Sequence, residues 1–286
     1  MHELITNVTN KQALELFLKD NSNRYSTNTL ECYSASVEGF FGFCDKNLTD
    51  VSSHDVKSWM AAMLSNGHSP GTIRVRLASL KAFFSYCAEE GVVTKDATIG
   101  IKGPKIKVLA LSTLPSPTFF KLQEATKSST RERAILEVLY STGVRVSELI
   151  AIKMEDIYWD LNAILIETAK NNRQRFVLFN NECSIWLQNY LAGRKDTSPY
   201  LFVTHHYKKF TRQGVNKLLR LVANKAKLTE RIYPHLFRHT FATKLADKGA
   251  SLPVISDLMG HVNPKSTQSY IHRSERSRKN DYDKYR

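Results

Sequence analysis

The chain has 286 residues, 42% hydrophobic and 24% charged, which is ordinary for a soluble globular protein and enough for two domains with separate cores. No apolar run approaches the roughly 18 residues of a membrane span, and MHELITNVTNK has neither a basic region nor an apolar signal core, so no membrane partner is expected and the expected location is cytoplasmic. The net charge of +14 is unevenly placed: residues 1–105 hold 11 Lys+Arg against 11 Asp+Glu, and the remaining 30 against 16 supply the whole excess. A basic half-molecule without a basic arm points to a folded surface for a polyanion, nucleic acid being the commonest. Cys32, Cys44, Cys87 and Cys183 form no CxxC or ladder, and three of them fall among apolar helical residues, as buried reduced thiols do.

In chain order, Ala13, Leu14, Phe17 and Leu18 predict a short helix from Lys11 to Asp20, and Leu30, Tyr33, Val37, Phe40, Phe41 and Cys44 predict a second. A third follows the capping serines Ser52-Ser53, with Val56, Trp59, Met60 and Met63 inward, and ends at Asn66-Gly67. Ser69-Pro70-Gly71-Thr72 opens a fourth, with Ile73, Leu77, Leu80, Phe84 and Cys87 on its seam. Four helices with short polar joints make a small all-α domain. Arg74, Arg76 and Lys81 leave the fourth helix away from its seam, either as a solvated face or as DNA contacts from a helix in a groove. Between Gly91 and Pro117 the periodicity fails, which assigns residues 1–103 to the helical domain, 104–117 to a linker and 118–286 to a second domain.

Helices are predicted to resume near Thr118 and over Thr130–Ser141, and after Gly143 a further helix begins at Ser147. Arg145 sits in that joint as a cap, a surface residue or a guanidinium reaching into a cleft, and Glu148 is placed to hold it or to cap the helix. From Asp156 the period changes to two: Ile157, Trp159 and Leu161, then residues 163–166, then Phe176-Val177-Leu178, predicting a small antiparallel sheet of three strands. The turn between the last two carries Lys170, Arg173 and Arg175, and farther on Lys208, Lys209 and Arg212 lead into an amphipathic helix with Val215, Leu218, Leu219 and Val222 inward. Arg173, Arg175, Lys208, Lys209 and Arg212 are candidate DNA contacts on this charge signature. The tail after His272 is highly polar and has no core of its own.

The most informative stretch is PHLFRHTFATKLADKGASLPVISDLMGHVNPKSTQSYIH, residues 234–272. Phe237, Phe241 and Leu245 form one helical stripe, and His235 and Arg238, three apart, leave from one face. Gly260-His261 follows, and Tyr270 comes nine residues after His261. A hydroxyl nucleophile near imidazoles and guanidiniums suits attack on a phosphate. A zinc site is disfavoured, because residue 236 between His235 and His239 is Leu and the HExxH pattern fails. A metal nuclease would want clustered carboxylates that this basic half lacks, so no metal and no cofactor are expected.

TGVRVSEL, HLFRHTFAT and LMGHVNPKSTQSYIH resemble the three motif boxes of the tyrosine recombinase family, the phage-integrase and Xer-like enzymes. Phe237 stands where leucine is more usual in the family, and Asn171 replaces the usual glycine after the hairpin lysine, which leaves Arg173 as a competitor for the role of Lys170. SPGTIRVRLASLKAFF is similar to part of the family's core-binding domain, so the resemblance covers nearly the whole chain. It implies a two-domain, mainly α protein, a helical core-binding domain plus a mixed α+β catalytic domain, closing as a C-shaped clamp on DNA. It also implies the catalytic set Arg145, Lys170, His235, Arg238, His261 and Tyr270, with Glu148 and His239 in support. Two arginine forks would take the non-bridging oxygens, Tyr270 would attack, His235 would accept its proton, His261 would donate to the phosphate and Lys170 would protonate the leaving 5′ oxygen. The implied partners are double-stranded DNA with inverted half-sites and a homo-tetramer on that DNA, monomer or dimer when free. Resolution of DNA dimers or cointegrates is the preferred role, with integration or excision of a mobile element, or a non-catalytic DNA-binding accessory protein, as alternatives.

Overall fold

A computed structural model describes residues 8–106, 112–168 and 173–260, excepting the side chains of Thr168 and Arg173. The chain divides into two compact units, Met1–Leu109 and Ala110–Arg286.

The first unit is built from α1 (Asn10–Asp20), α2 (Thr27–Phe41), α3 (Ser53–Ser65) and α4 (Pro70–Glu89). Each starts where its local chemistry dictates. Thr9, Ser26, Ser52 and Ser69 accept the orphan N–H of the residue three on, and Thr9 with Gln12 and Ser52 with Asp55 complete reciprocal capping boxes. Pro70 takes the first turn of α4, where its missing N–H costs nothing. The seam of α4 packs inward as the periodicity predicts: Ile73, Leu77, Leu80, Phe84 and Cys87 are all buried. Around it aromatic rings meet edge to face, Phe40 with Trp59 at 5.3 Å and Phe17 with Phe83 at 5.7 Å. Truncating one of these buried phenylalanines to alanine would cost about 3–5 kcal/mol. Burial pushes the Cys87 and Cys183 thiols up to about 12, so both stay protonated and inert.

The second unit follows with α5 (Ser116–Ala125), α6 (Thr130–Thr142), the single turn α7 (Val146–Leu149), β1 (Ile157–Tyr158), β2 (Ala163–Thr168), β3 (Arg173–Leu178), α8 (Asn181–Ala192), α9 (Arg212–Lys225), α10 (Pro234–Asp247) and α11 (Leu252–Met259). Helix α6 is buried along most of its length and packs against α8 and α10. Its interior polar pair, Arg133 and Glu137, meets at 2.7 Å, and Arg133 reaches Glu182 at 3.0 Å, so neither charge is buried unpaired.

The sheet is antiparallel in the order β1-β2-β3. Its first strand is shorter than the alternation of Ile157, Trp159 and Leu161 suggests. After Tyr158 the chain makes a 3₁₀ turn over Trp159–Leu161 and passes through Asn162 at φ 47°, a left-handed position that asparagine tolerates. In β3 only Val177 of the apolar triplet faces the core; Phe176 and Leu178 are exposed. The stretch at Tyr200–Thr204 is a bend held by isolated bridges, Lys153 with Tyr200 and Val203 with Lys209.

Candidate active site

Helix α10 begins at Pro234, again a first-turn proline, and presents His235 at an exposed position one turn before Arg238, which is only 4% exposed. Phe237 is fully buried, while Phe241 and Leu245 pack with Ala242, Ala246, Ile255 and Met259 in a small cluster that joins α10 to α11. This packing fixes the direction of Arg238. One guanidinium nitrogen, Nη1, donates to the Gly143 carbonyl at 2.8 Å, and Nη2 donates to the Met259 carbonyl. The rings of His235 and His239 lie 6.2 Å apart at 29°. Loss of water around the His235 ring, and then the positive charges of Arg238 and Arg145, hold its pKa below the usual 6.5. The shift favours the uncharged imidazole, the form able to accept a proton.

Arg145 stands at the N-cap of α7. Its own backbone N–H donates to Glu148 Oε2 at 2.7 Å and its Nη1 to Glu148 Oε1 at 2.8 Å. Arg175 reaches the same carboxylate from β3, Nη1 to Oε1 at 3.0 Å and Nη2 to Oε2 at 2.9 Å. Burial alone would raise the Glu148 pKa, but the two guanidiniums and the backbone N–H overcome it and bring the group from 4.5 to about 2. Glu148 is thus a fixed negative anchor between two arginines.

All three arginines converge on one helix end. Arg175 Nε donates to the Leu258 carbonyl at 3.2 Å, Arg238 to the Met259 carbonyl and Arg145 Nη2 to the Gly260 carbonyl at 3.1 Å. These are the orphan acceptors at the negative end of α11, and they immediately precede His261. Gly260 closes the helix at φ 59°.

The structure therefore brings Arg145, Glu148, His235, His239 and Arg238 into one region of the second unit. Lys170, His261, Tyr270 and the polar tail lie outside the described residues, as does the Arg173 side chain. Arg175, expected on DNA, is instead turned inward with a side chain 10% exposed, because its place in β3 is on the core side with Val177. Sequence reasoning missed that role, although strict alternation along β3 carried the signal. Among the other expected DNA contacts, Arg74 and Arg212 are exposed. Lys208 and Lys209 are exposed and directly follow a turn, the Lys209 ammonium 4.3 Å from the Tyr200 ring centre. Arg76 is half-buried with Nη1 3.8 Å from Met63 Sδ, and Lys81 donates to the Ile101 carbonyl at 2.7 Å.

Residues 117–277 match the Phage integrase family, and residues 14–92 match the Phage integrase N-terminal SAM-like domain. The chain is a tyrosine recombinase of the phage integrase family. It is 32% identical over 281 residues to tyrosine recombinase XerC of Leptospira interrogans, covering 94% of this chain and 90% of the relative. The fold is shared with XerH site-specific recombinase bound to palindromic difH substrate (TM-score 0.77, 18% identity, 96% of this chain and 84% of that one). It is shared also with a lambda integrase tetramer bound to a Holliday junction (TM-score 0.73, 18% identity, 90% and 79%). The recombinase thus carries its two candidate phosphate-binding arginines on separate elements, α7 and α10, that meet at the end of α11. No described helix is long and apolar enough to cross a membrane.

Proposed function

We propose that this recombinase cuts and rejoins DNA through a 3′-phosphotyrosyl intermediate formed by Tyr270. The phenol oxygen attacks the scissile phosphorus while its proton passes to His235. The P–O5′ bond breaks and the leaving oxygen takes a proton from Lys170, with Arg173 as the alternative donor. Arg145 and Arg238 supply paired N–H donors to the non-bridging oxygens, where negative charge gathers, and His261 adds a third donor. The phosphotyrosyl link conserves the energy of the broken bond, so rejoining by a 5′ hydroxyl needs neither nucleotide triphosphate nor metal.

One observation carries this reading: two arginines donate to consecutive carbonyls, Met259 and Gly260, directly before His261. A phosphate entering there would replace neutral acceptors by a charged one, which forms stronger hydrogen bonds. The larger assignment we propose with it is two recombination sites with inverted half-sites, four protomers, exchange through a Holliday junction, and resolution of DNA dimers or cointegrates. A nicked suicide substrate tests the chemistry. The wild-type chain should accumulate a covalent protein–DNA adduct, and Tyr270→Phe should bind the same DNA without forming one. An adduct with Tyr270→Phe would remove that residue from the role.

A further inference from the structure

Arg175 looks, from its place beside a basic hairpin, like a residue for the DNA backbone. Its geometry is that of an internal tie. In β3 it pairs across from Ile166, itself 2% exposed, and its side chain is 10% exposed. Its fork is committed to both oxygens of Glu148, and its Nε to the Leu258 carbonyl. A Cβ on Gly260 would lie 2.8–3.0 Å from the Arg175 guanidinium atoms Nη1, Cζ and Nε. The plane of Arg175 therefore rests on bare backbone at the turn that leads into His261.

We propose that Arg175 is a positioning residue of the recombination reaction. It joins three pieces of the site at one point: the β2–β3 hairpin, Arg145 through their shared Glu148, and the C-terminal end of α11. Three neighbouring carbonyls, Leu258, Met259 and Gly260, are each taken by a different arginine, and only Arg175 of the three also grips Glu148 with its whole fork. A lysine in its place would keep the charge but hold one acceptor where the fork holds two. Glu148 would then be free to turn, and with it the guanidinium of Arg145. This inference rests on the reading that Arg145 serves the scissile phosphate, and it adds a residue that need not touch DNA.

The test is single-turnover cleavage of the suicide substrate at saturating protein, with DNA affinity measured across a salt series. Arg175→Lys should cleave about 10²-fold more slowly, the scale of an ångström-sized misplacement at a reacting centre, while the slope of log affinity against log salt stays unchanged. Glu148→Gln should lose a similar factor, and the double variant should lose little more, since the two act as one unit. A phosphate contact would instead reduce the salt slope by about one in Arg175→Gln, which removes the charge that lysine keeps, and leave saturated cleavage of Arg175→Lys near the wild-type rate; that result would overturn the proposal, as would fully additive losses in the double variant. Should Arg175→Lys lose its cooperative thermal transition, Arg175→Gln combined with Glu148→Gln removes both charges together, leaving no buried ion unpaired, and is read by the same two measurements. Absence of a wild-type adduct would instead count against the phosphotyrosyl chemistry.

Discussion

Arg238 donates to the carbonyl of Gly143, 95 positions earlier in the chain, at 2.8 Å. That carbonyl is where it is because Gly143 ends α6 in the left-handed region at φ 61°. The same glycine is pressed by a ring: an added Cβ would fall 2.6 Å from Phe241 Cδ1. Phe241 and Arg238 leave the same helix, so moving the ring disturbs the element that carries the guanidinium.

Gly143→Ala should therefore cost more than its backbone strain. A left-handed alanine costs about 1–2 kcal/mol, and the clash with Phe241 adds about 1–3 kcal/mol, for a total of about 2–5 kcal/mol. Gly249 is the matching control, at φ 82° with nothing within 4 Å of its built Cβ. Gly249→Ala should pay the strain alone and cleave DNA at near the wild-type rate. Equal losses of cleavage in the two variants would show that Gly143 does not set the Arg238 fork.

A second consequence concerns acid stability. Glu148 has a folded pKa of about 2 against 4.5 when unpaired, and its side chain is 6% exposed. A depressed folded pKa means that the stabilisation is complete above pH 4.5 and fades as pH falls toward 2. Between pH 6 and pH 3 the loss from this group is about 2 kcal/mol. Chemical unfolding of the wild type and of Glu148→Gln should diverge most at pH 6 and converge by about that amount at pH 3. A gap between them that is constant over this range would mean that Glu148 titrates normally.

What the sequence revealed and what it hid divide along the reach of the interactions. The helices of the first unit are legible because their causes are local: Ser52 with Asp55, Ser69 before Pro70, and apolar seams at helical spacing. The arginines and histidines of the site are legible as motif residues at fixed spacing. Their acceptors are not, because Gly143, Met259 and Gly260 contribute carbonyls, which every residue has. The role of Arg175 was hidden by distance, its partners lying 27 and 83 positions away, and by the apolar triplet Phe176-Val177-Leu178, whose exposed members blur the alternation that turns Arg175 inward. The first strand was overestimated for a related reason. The residues Ile157, Trp159 and Leu161 alternate correctly, but the hairpin needs a tight reversal at Asn162, and a 3₁₀ turn takes the last two.

His235 gives the last prediction. Its pKa lies below 6.5, first because water is displaced from its ring and then because Arg238 and Arg145 repel a proton from it. A base must be unprotonated to accept the Tyr270 proton, so cleavage should fall on acidification along a limb centred below pH 6.5. The bound phosphate would itself favour a protonated imidazole. The relevant quantity is therefore the maximal cleavage rate divided by the half-saturating protein concentration, which reports groups in the DNA-free recombinase. His235→Gln should cleave more slowly at every pH and lose this acid limb. An acid limb centred above pH 6.5, or one that survives unchanged in His235→Gln, would assign the base to another residue.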